Sequence, residues 1–330
     1  MLISGILRRI AKARLVAGYY HLVANEPPPH IKHLYECKSI SQFEHDLEFL
    51  VRRYIPIDIG QLAANIKFDQ PIPEKSLLIS FDDGFREIAE IIAPLLLKKG
   101  ISAVFFVNSA FIDNKAMSYD HKKSLIIHKL MQSSKAQITH VRELLGNNSE
   151  PTFDWQLRVR GLKYNEYALI EHLGHDLDID FNSYLHEQRP YLSQDQIKSL
   201  LSDGFSVGSH SIDHPLYADI PLEEQLRQTA DSLLVLKTLF GIKVGLFAFP
   251  HSDAGVSARF FDEIAKRHLT DLTFGTGGIL DDSMNTHIQR MSFERPVKDV
   301  EQLISRQLAR RIYRRIGGTA VINHPPCNTE

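Results

Sequence analysis

The sequence predicts an α/β chain built on a parallel sheet, either open or closed into a barrel. The first sign is the stretch Leu77-Leu78-Ile79-Ser80-Phe81-Asp82-Asp83-Gly84, an apolar run that stops on two adjacent carboxylates and a glycine. It reads as a buried strand. Ile88, Ile91, Ile92, Leu95 and Leu96 follow at helical spacing, Lys98-Lys99-Gly100 stops that helix, and Ala103 to Val107 is a second apolar run. Strand, helix and strand make a βαβ unit, so the two strands should be parallel with a right-handed crossover. The second sign is that strand-like and helix-like stretches keep alternating down the chain, with no internal repeat. In such folds the C-terminal strand tips carry the active site.

Each element has a local cause. In the segment Leu2 to Val16, residues Leu2, Ile3, Ile6, Leu7 and Ile10 share one helical face, with Arg8, Arg9 and Lys12 mostly off it. That is an amphipathic terminal helix. Val16 to His21 reads as the first strand, and Glu26 to His30, with three consecutive prolines, as a loop. Ser41-Gln42-Phe43-Glu44 is a capping box opening a helix whose apolar face is Phe43, Leu47 and Leu50. Ile55 to Ile59 is a short strand candidate. Over 112–190 the helix-like pieces, Ser124 to Met131 and Tyr167 to Leu173, are interrupted by charges, and strong strands are scarce. The expectation is a single domain over 1–330, with 112–190 a mostly helical insertion capping the strand tips. The single tryptophan, Trp155, falls in this segment.

Beyond it, Ser193 to Gln196 is another capping box. Phe205 to Gly208 reads as a strand, Pro221 to Phe240 as a long helix, and Leu246 to Phe249 as a strand ending in Pro250-His251. Ser257 to Arg267 reads as a helix, Leu272 to Phe274 as a strand, and Val300 to Ile316 as a helix stopped by Gly317-Gly318. Ala320 to Asn323 is the last strand, ending at His324-Pro325-Pro326.

The bulk numbers exclude several classes. The 330 residues are 43% apolar and 24% charged, with a formal net charge of -2. That balance speaks against a general nucleic-acid binder. The two cysteines, Cys37 and Cys327, form neither a disulfide framework nor a thiolate metal site. No apolar run is long enough to span a membrane, and the N-terminus is a poor secretory signal. The expectation is a cytoplasmic protein. Membrane association is a further expectation: Arg306, Arg310, Arg311, Arg314 and Arg315 crowd the Val300 to Ile316 helix, with Leu308, Ile312 and Ile316 on one stripe. A solvated basic face is the plainer reading. Together with Arg8 and Arg9, residues Arg310, Arg311 and Arg314 would suit an anionic membrane or a pyrophosphate-linked sugar lipid.

Four strand tips carry metal-competent or proton-transferring groups: Asp82 and Asp83, His210 and His214, His251, and His324. Two carboxylates side by side are costly to desolvate, and a cation is one reason to keep both ionised. A turn with an Asp cap is the other reading of Asp82-Asp83-Gly84. His210 and His214, four residues apart, can share one face of a helical turn and grip one ion.

Together these residues resemble the polysaccharide deacetylases, the NodB-homology group or carbohydrate esterase family four. Ser80-Phe81-Asp82-Asp83-Gly84 looks like the family's first motif, and His210-Ser211-Ile212-Asp213-His214-Pro215 fits its second, H-[ST]-x-x-H-P. Phe247-Ala248-Phe249-Pro250 resembles the third and Ile322-Asn323-His324 the last. The resemblance implies a distorted (β/α) barrel of seven or eight strands, TIM-barrel-like, and a metal-dependent hydrolase removing N-acetyl groups from an N-acetylated saccharide. By the same resemblance Asp83, His210 and His214 hold a divalent metal, commonly zinc. Asp82 is the general base, His324 the general acid, and the backbone N–H of His251 an oxyanion donor. Three departures are visible. The motif-three arginine would fall at Ala248, the usual residue after the proline is replaced by His251, and no D-x-x-D-W motif is present. Arg290 sits where many relatives carry a strand-tip arginine and would orient Asp82; a surface ion pair is the other reading. Alternatives to the main function are a related amide or imide hydrolase on a non-sugar substrate, and a degenerate barrel that binds glycan without turnover.

Overall fold

The computed structural model describes residues 7, 8, 10–146, 153–294 and 299–326. The chain divides into two compact units, one of Met1–Asn25, Cys37–Asp113 and Tyr191–Glu330, the other of Glu26–Glu36 and Asn114–Pro190.

The first unit is built on a parallel sheet. Its strands are β1 (Leu15–Tyr20), β2 (Ile55–Pro56), β3 (Ser76–Phe81), β4 (Ala103–Val107), β5 (Ser206–Ser209), β6 (Leu246–Ala248) and β7 (Leu272–Gly275). The short strands β8 (Asp281–Asp282), β9 (His287–Gln289), β10 (Met291–Ser292) and β11 (Val321–Ile322) follow. The path runs β10-β1-β3-β4-β5-β6-β7-β9, with β2 added on β3. Arg290 alone separates β9 from β10, so the two ends of the path are consecutive in the chain and the sheet nearly closes into a distorted (β/α) barrel.

Strand alternation sorts the core into two layers. Leu77, Ile79 and Phe81 of β3 and Phe105 and Val107 of β4 pack outward, under Phe43, Leu47 and Leu50 of the helix Ile40–Arg53. Leu78, Val104, Phe106, Ala248 and Phe274 fill the inside. At about 25 cal/mol per Å² of apolar surface, layers of this kind carry the bulk of the folding free energy. On β1, Gly18 is where Phe293 packs: a Cβ there would lie 1.9 Å from its ring.

Several elements differ from expectation for identifiable reasons. The first capping box is formed by Ser39 and Gln42, two residues earlier than expected. Only Ile55–Pro56 pairs with β3, because Asp58 and Gln61 form a capping box of their own and start the helix Ile59–Phe68. Its Ile59 and Leu62 pack against the inside layer. Ile88–Ile92 is a π-helical turn running into Ala93–Lys98, where Pro94 has no N–H to give. The last strand does not join the barrel: β11 pairs only with β8, in a separate two-stranded sheet.

Of the amphipathic terminal helix, Leu7, Arg8, Ile10 and Ala11 are described, while Leu2, Ile3, Ile6 and Arg9 lie outside the described residues. Ala11 is buried, and its carbonyl accepts from Arg311 Nε at 2.9 Å and Arg315 Nη1 at 3.1 Å. No helix among the described residues is long and apolar enough to cross a membrane.

The second unit is helical: Pro29–Lys32, Tyr119–Leu130, Lys135–Leu144, Trp155–Arg160, Tyr167–Asp176 and Phe181–Gln188. The helix Tyr119–Leu130 is its centre and is buried nearly all round, charges included. Lys123 Nζ donates to the carbonyls of Arg160 (2.9 Å) and Leu162 (2.8 Å) and pairs with Asp120 at 2.6 Å. Lys122 Nζ pairs with Glu171 at 2.5 Å and reaches the Tyr167 hydroxyl at 2.6 Å. Buried lysines are tolerated when paired and bonded in this way.

Candidate active site

Asp82 follows β3 with the same parity as Leu78 and Ser80, so its carboxylate turns to the inside of the barrel. There it meets Arg290, the residue at the seam of the sheet. Arg290 Nη1 lies 2.7 Å from Asp82 Oδ1 and Nη2 lies 2.9 Å from Oδ2, a two-pronged pair. Nη1 also donates to Ser80 Oγ at 2.9 Å and Nε to the Gly275 carbonyl at 3.2 Å. The guanidinium lies over the Tyr19 and Phe106 rings, 4.8 and 5.2 Å from their centroids, and Arg290 is 0% exposed. This is not a surface ion pair. Burial pushes the Asp82 carboxyl up, but Arg290 and then His210 outweigh it and hold the group below the usual carboxylate range.

Asp83 faces His210 and His214. Its Oδ1 lies 3.1 Å from His214 Nε2 and 3.5 Å from His210 Nε2. The backbone is held in the left-handed region at Asp83 (φ 69°), Gly84 (67°), Ser211 (72°), His214 (71°) and His251 (56°). Such conformations cost energy for non-glycine residues and concentrate at functional sites. At Gly84 a Cβ would also come within 2.9 Å of Val107 Cγ1. The two histidines do not share a helical turn as expected. They converge because the loop after β5 is folded by its own polar groups: His214 N–H donates to Ser211 Oγ (3.0 Å), Ile212 N–H to Gln228 Oε1 (2.9 Å), and the Asn108 amide to the His210 carbonyl.

The donor set fits a divalent metal. Asp83 Oδ1 is buried and has no hydrogen-bond partner; the two imidazole nitrogens approach it without hydrogen-bond geometry. His210 Nδ1 donates to the Ala248 carbonyl at 2.9 Å, which leaves the Nε2 lone pair aimed at the carboxylate. Burial lowers His210 to about 4, so its ring is neutral near pH 7, as a ligand must be. Burial raises the Asp83 carboxyl, yet the imidazoles, His214 first, hold it well below the carboxylate range. The His251 ring packs 4.4 Å from that of His214.

One residue of the site was not anticipated. His21, directly after β1, pairs with Glu294: Nδ1 to Oε2 is 2.6 Å, and Glu294 Oε1 accepts from the His21 backbone N–H and from that of Leu22 at 3.3 Å. Burial alone would lower the imidazole, but Glu294 dominates, with Asp83 and Asp82 adding to it, and raises it to about 9. Its position at a strand tip was the only signal; one histidine among 16 says little.

His324 is placed elsewhere. Phe274 of β7 points inward, so its neighbour Thr273 points outward, and there it meets His287 at 2.8 Å. His324 belongs to this outer side, 4.2 Å from the Phe261 ring. Nδ1 lies 3.2 Å from the Val256 carbonyl, and Nε2 lies 3.1 and 3.2 Å from the two oxygens of Asp282. The ring is 2% exposed, with both nitrogens engaged and no proton free for a substrate. The physical reason is that β11 left the barrel.

The first unit is therefore a (β/α) barrel with an acidic, histidine-rich site at its C-terminal strand tips, the arrangement of a barrel enzyme. Residues 69–269 match the family model for polysaccharide deacetylase, and the chain belongs to that family, whose enzymes are deacetylases. The matched span contains Asp82, Asp83, His210, His214 and His251 and ends before Arg290, Glu294 and His324. Among solved structures the chain is similar to IcaB from Ammonifex degensii (18% identity over 90% of this chain and 97% of that one, TM-score 0.54). It is also similar to the Streptococcus pyogenes deacetylase PplD in complex with acetate (13% identity, 88% and 96% covered, TM-score 0.56). A third similar structure is a de-N-acetylase from Aggregatibacter actinomycetemcomitans (14% identity, 84% and 94% covered, TM-score 0.50). At these identities the likeness is one of fold. No curated protein sequence matches the chain.

Proposed function

We propose that this chain is a metal-dependent de-N-acetylase of an N-acetylated saccharide, with Asp83, His210 and His214 holding a divalent ion, zinc first among candidates. The observation that carries the reading is the buried Asp83 oxygen with no hydrogen bond and two imidazole Nε2 atoms turned to it. An ion bound there would acidify a water molecule and polarise the acetyl oxygen.

The residues divide the remaining work. Asp82, ionised and held in one orientation by the Arg290 fork, takes the proton of the attacking water. Arg290 thus supplies from β9–β10 what the missing arginine at Ala248 would have supplied from β6. The backbone N–H of His251 is the donor assigned to the oxygen on which negative charge develops. As the C–N bond breaks, the amine must leave protonated. His21 is the donor in place of His324, because Glu294 keeps its ring charged near pH 7. Acetate and the free amino sugar are the products.

Acetate release from N-acetylglucosamine oligomers tests the reading. Chelation should abolish it and added zinc restore it, whereas release that survives complete chelation removes the proposal. Metal binding without acetate release would point to another amide substrate.

A peripheral contact with anionic lipid belongs to the same proposal, in narrowed form. Arg311 is buried against Asp281 (2.7 Å) and is not available to it, and Arg8 lies 3.8 Å from Glu74. Arg310 is exposed and Arg314 half-buried, beside Tyr313 (79% exposed) and Ile316 (84%). Arg310→Ala with Arg314→Ala should weaken binding to anionic liposomes; equal binding by wild type and variant would end the idea.

A further inference from the structure

We propose that Asp253, Asp282, His287 and His324 form a second divalent-cation site, separate from the Asp83-His210-His214 set. The four offer ligand atoms that all lie within 4.8 Å of one another. They come from four places in the first unit: the loop after β6, β8, β9 and the tip of β11. His287 Nε2 is 3.1 Å from Asp253 Oδ2, and His324 Nε2 is 3.1 Å from Asp282 Oδ1.

The hydrogen-bond chemistry of His324 points to a cation. Both of its ring nitrogens face groups that can only accept, the Val256 carbonyl and the Asp282 carboxylate. A neutral imidazole has one N–H. With that proton on Nδ1, facing Val256, the Nε2 lone pair points at a carboxylate. Such a contact holds only with a second proton on the ring or a cation between the two. His210 has the same construction, with Nδ1 on the Ala248 carbonyl and Nε2 towards Asp83.

The surrounding groups hold the four side chains in place. The Gln289 amide donates to Asp253 Oδ2 at 2.7 Å and to Asp282 Oδ2 at 2.9 Å, and its own oxygen accepts from the Gly277 N–H at 2.5 Å. Backbone N–H groups of Thr276 and Met284 each reach one carboxylate oxygen at 2.9 Å, and Thr273 Oγ1 meets His287 Nδ1 at 2.8 Å. Contacts of this kind orient metal ligands in proteins. Charge balance agrees. Among the described residues the only ion pairs of Asp253 and Asp282 are with the two histidines. One divalent ion would offset the two carboxylates and leave both rings neutral. Two imidazoles and two carboxylates suit zinc in tetrahedral coordination. Asp282, His287 and Gln289 also line a cavity of about 400 Å³, which gives an ion a way in. An ion there would tie the segment after β11 to the barrel wall.

The test is the zinc content of the full-length chain, measured by mass spectrometry after loading and gel filtration. The wild type should hold two zinc ions per chain, and Asp83→Ala with His210→Ala should still hold one. X-ray absorption on that variant should show nitrogen and oxygen donors at about 2.0–2.2 Å. His287→Ala with His324→Ala should drop the count to one. A variant lacking Asp83 and His210 that folds yet holds no zinc overturns the second site. A wild type with one zinc, kept by that variant, sinks the catalytic-site assignment and leaves this one standing.

Discussion

Two clusters of carboxylates and imidazoles lie in the barrel unit, and their surroundings differ. Around Asp83 the backbone is left-handed at five positions, and a buried carboxylate oxygen makes no hydrogen bond. Around Asp282 none of Asp253, Asp282, His287 and His324 is in the left-handed region, and the carboxylates are gripped by Gln289 and by backbone N–H groups. The first cluster sits beside two further pairs, Asp82 on Arg290 and His21 on Glu294. The second is packed among Phe249, Phe261 and the β8–β11 ribbon. On the proposed reading the same residue types serve two ends. Backbone kept in costly conformations marks the place where chemistry is proposed, and a fully supported hydrogen-bond shell marks a structural role.

The largest effect that would sharpen this contrast is at Asp82. Asp82→Asn should cut acetate release about 10²- to 10⁴-fold while metal content stays at the wild-type level. His214→Ala should lose both. An active Asp82→Asn enzyme would refute the base assignment.

The next concerns which histidine protonates the amine. His21→Ala should lower acetate release about 10²-fold, and His324→Ala less than about tenfold; the reverse order would return the role to His324. The alkaline limb of the wild-type pH profile should fall near pH 9, where His21 loses its proton, and Glu294→Gln should move that limb down. The same pairing affects stability. The folded-state pKa of His21 is raised, so its contribution is complete below the ordinary imidazole value of about 6.5 and is lost as pH rises through about 9. Wild type and Glu294→Gln should therefore differ most in denaturant midpoint on the acid side of that window.

A smaller effect is expected at Arg290. Arg290→Lys keeps a charge but loses the fork. It should lower turnover roughly 10- to 10²-fold and move the acidic limb up, because Asp82 loses part of what depresses its pKa. An unshifted acidic limb would mean that Arg290 only supports the fold.

Much of this was readable from the residues alone. The run from Leu77 to Gly84 announced a buried strand with a carboxylate tip, and the alternation after it announced the parallel sheet. His210 and His214 were legible as a pair, although their convergence comes from Ser211 and Gln228 and not from helical spacing. What stayed hidden depends on tertiary partners. Arg290, which meets Asp82 across 208 positions, was named only through the family resemblance, and His21, which meets Glu294 across 273, was not named as a site residue. The helix Tyr119–Leu130 carries no amphipathic stripe because Lys122 and Lys123 are buried with their partners. The surroundings of His324 were not legible, because a short strand before a histidine looks the same in sequence whether it joins the barrel or, as β11 does, pairs with β8.

Diffraction from zinc-loaded crystals, recorded at the zinc absorption edge, tests the central claim most directly. An anomalous peak within about 2.0–2.2 Å of the Asp83 carboxylate and of the Nε2 atoms of His210 and His214 is the predicted result. Crystals that hold zinc only at the Asp282 cluster, or nowhere, would contradict the account.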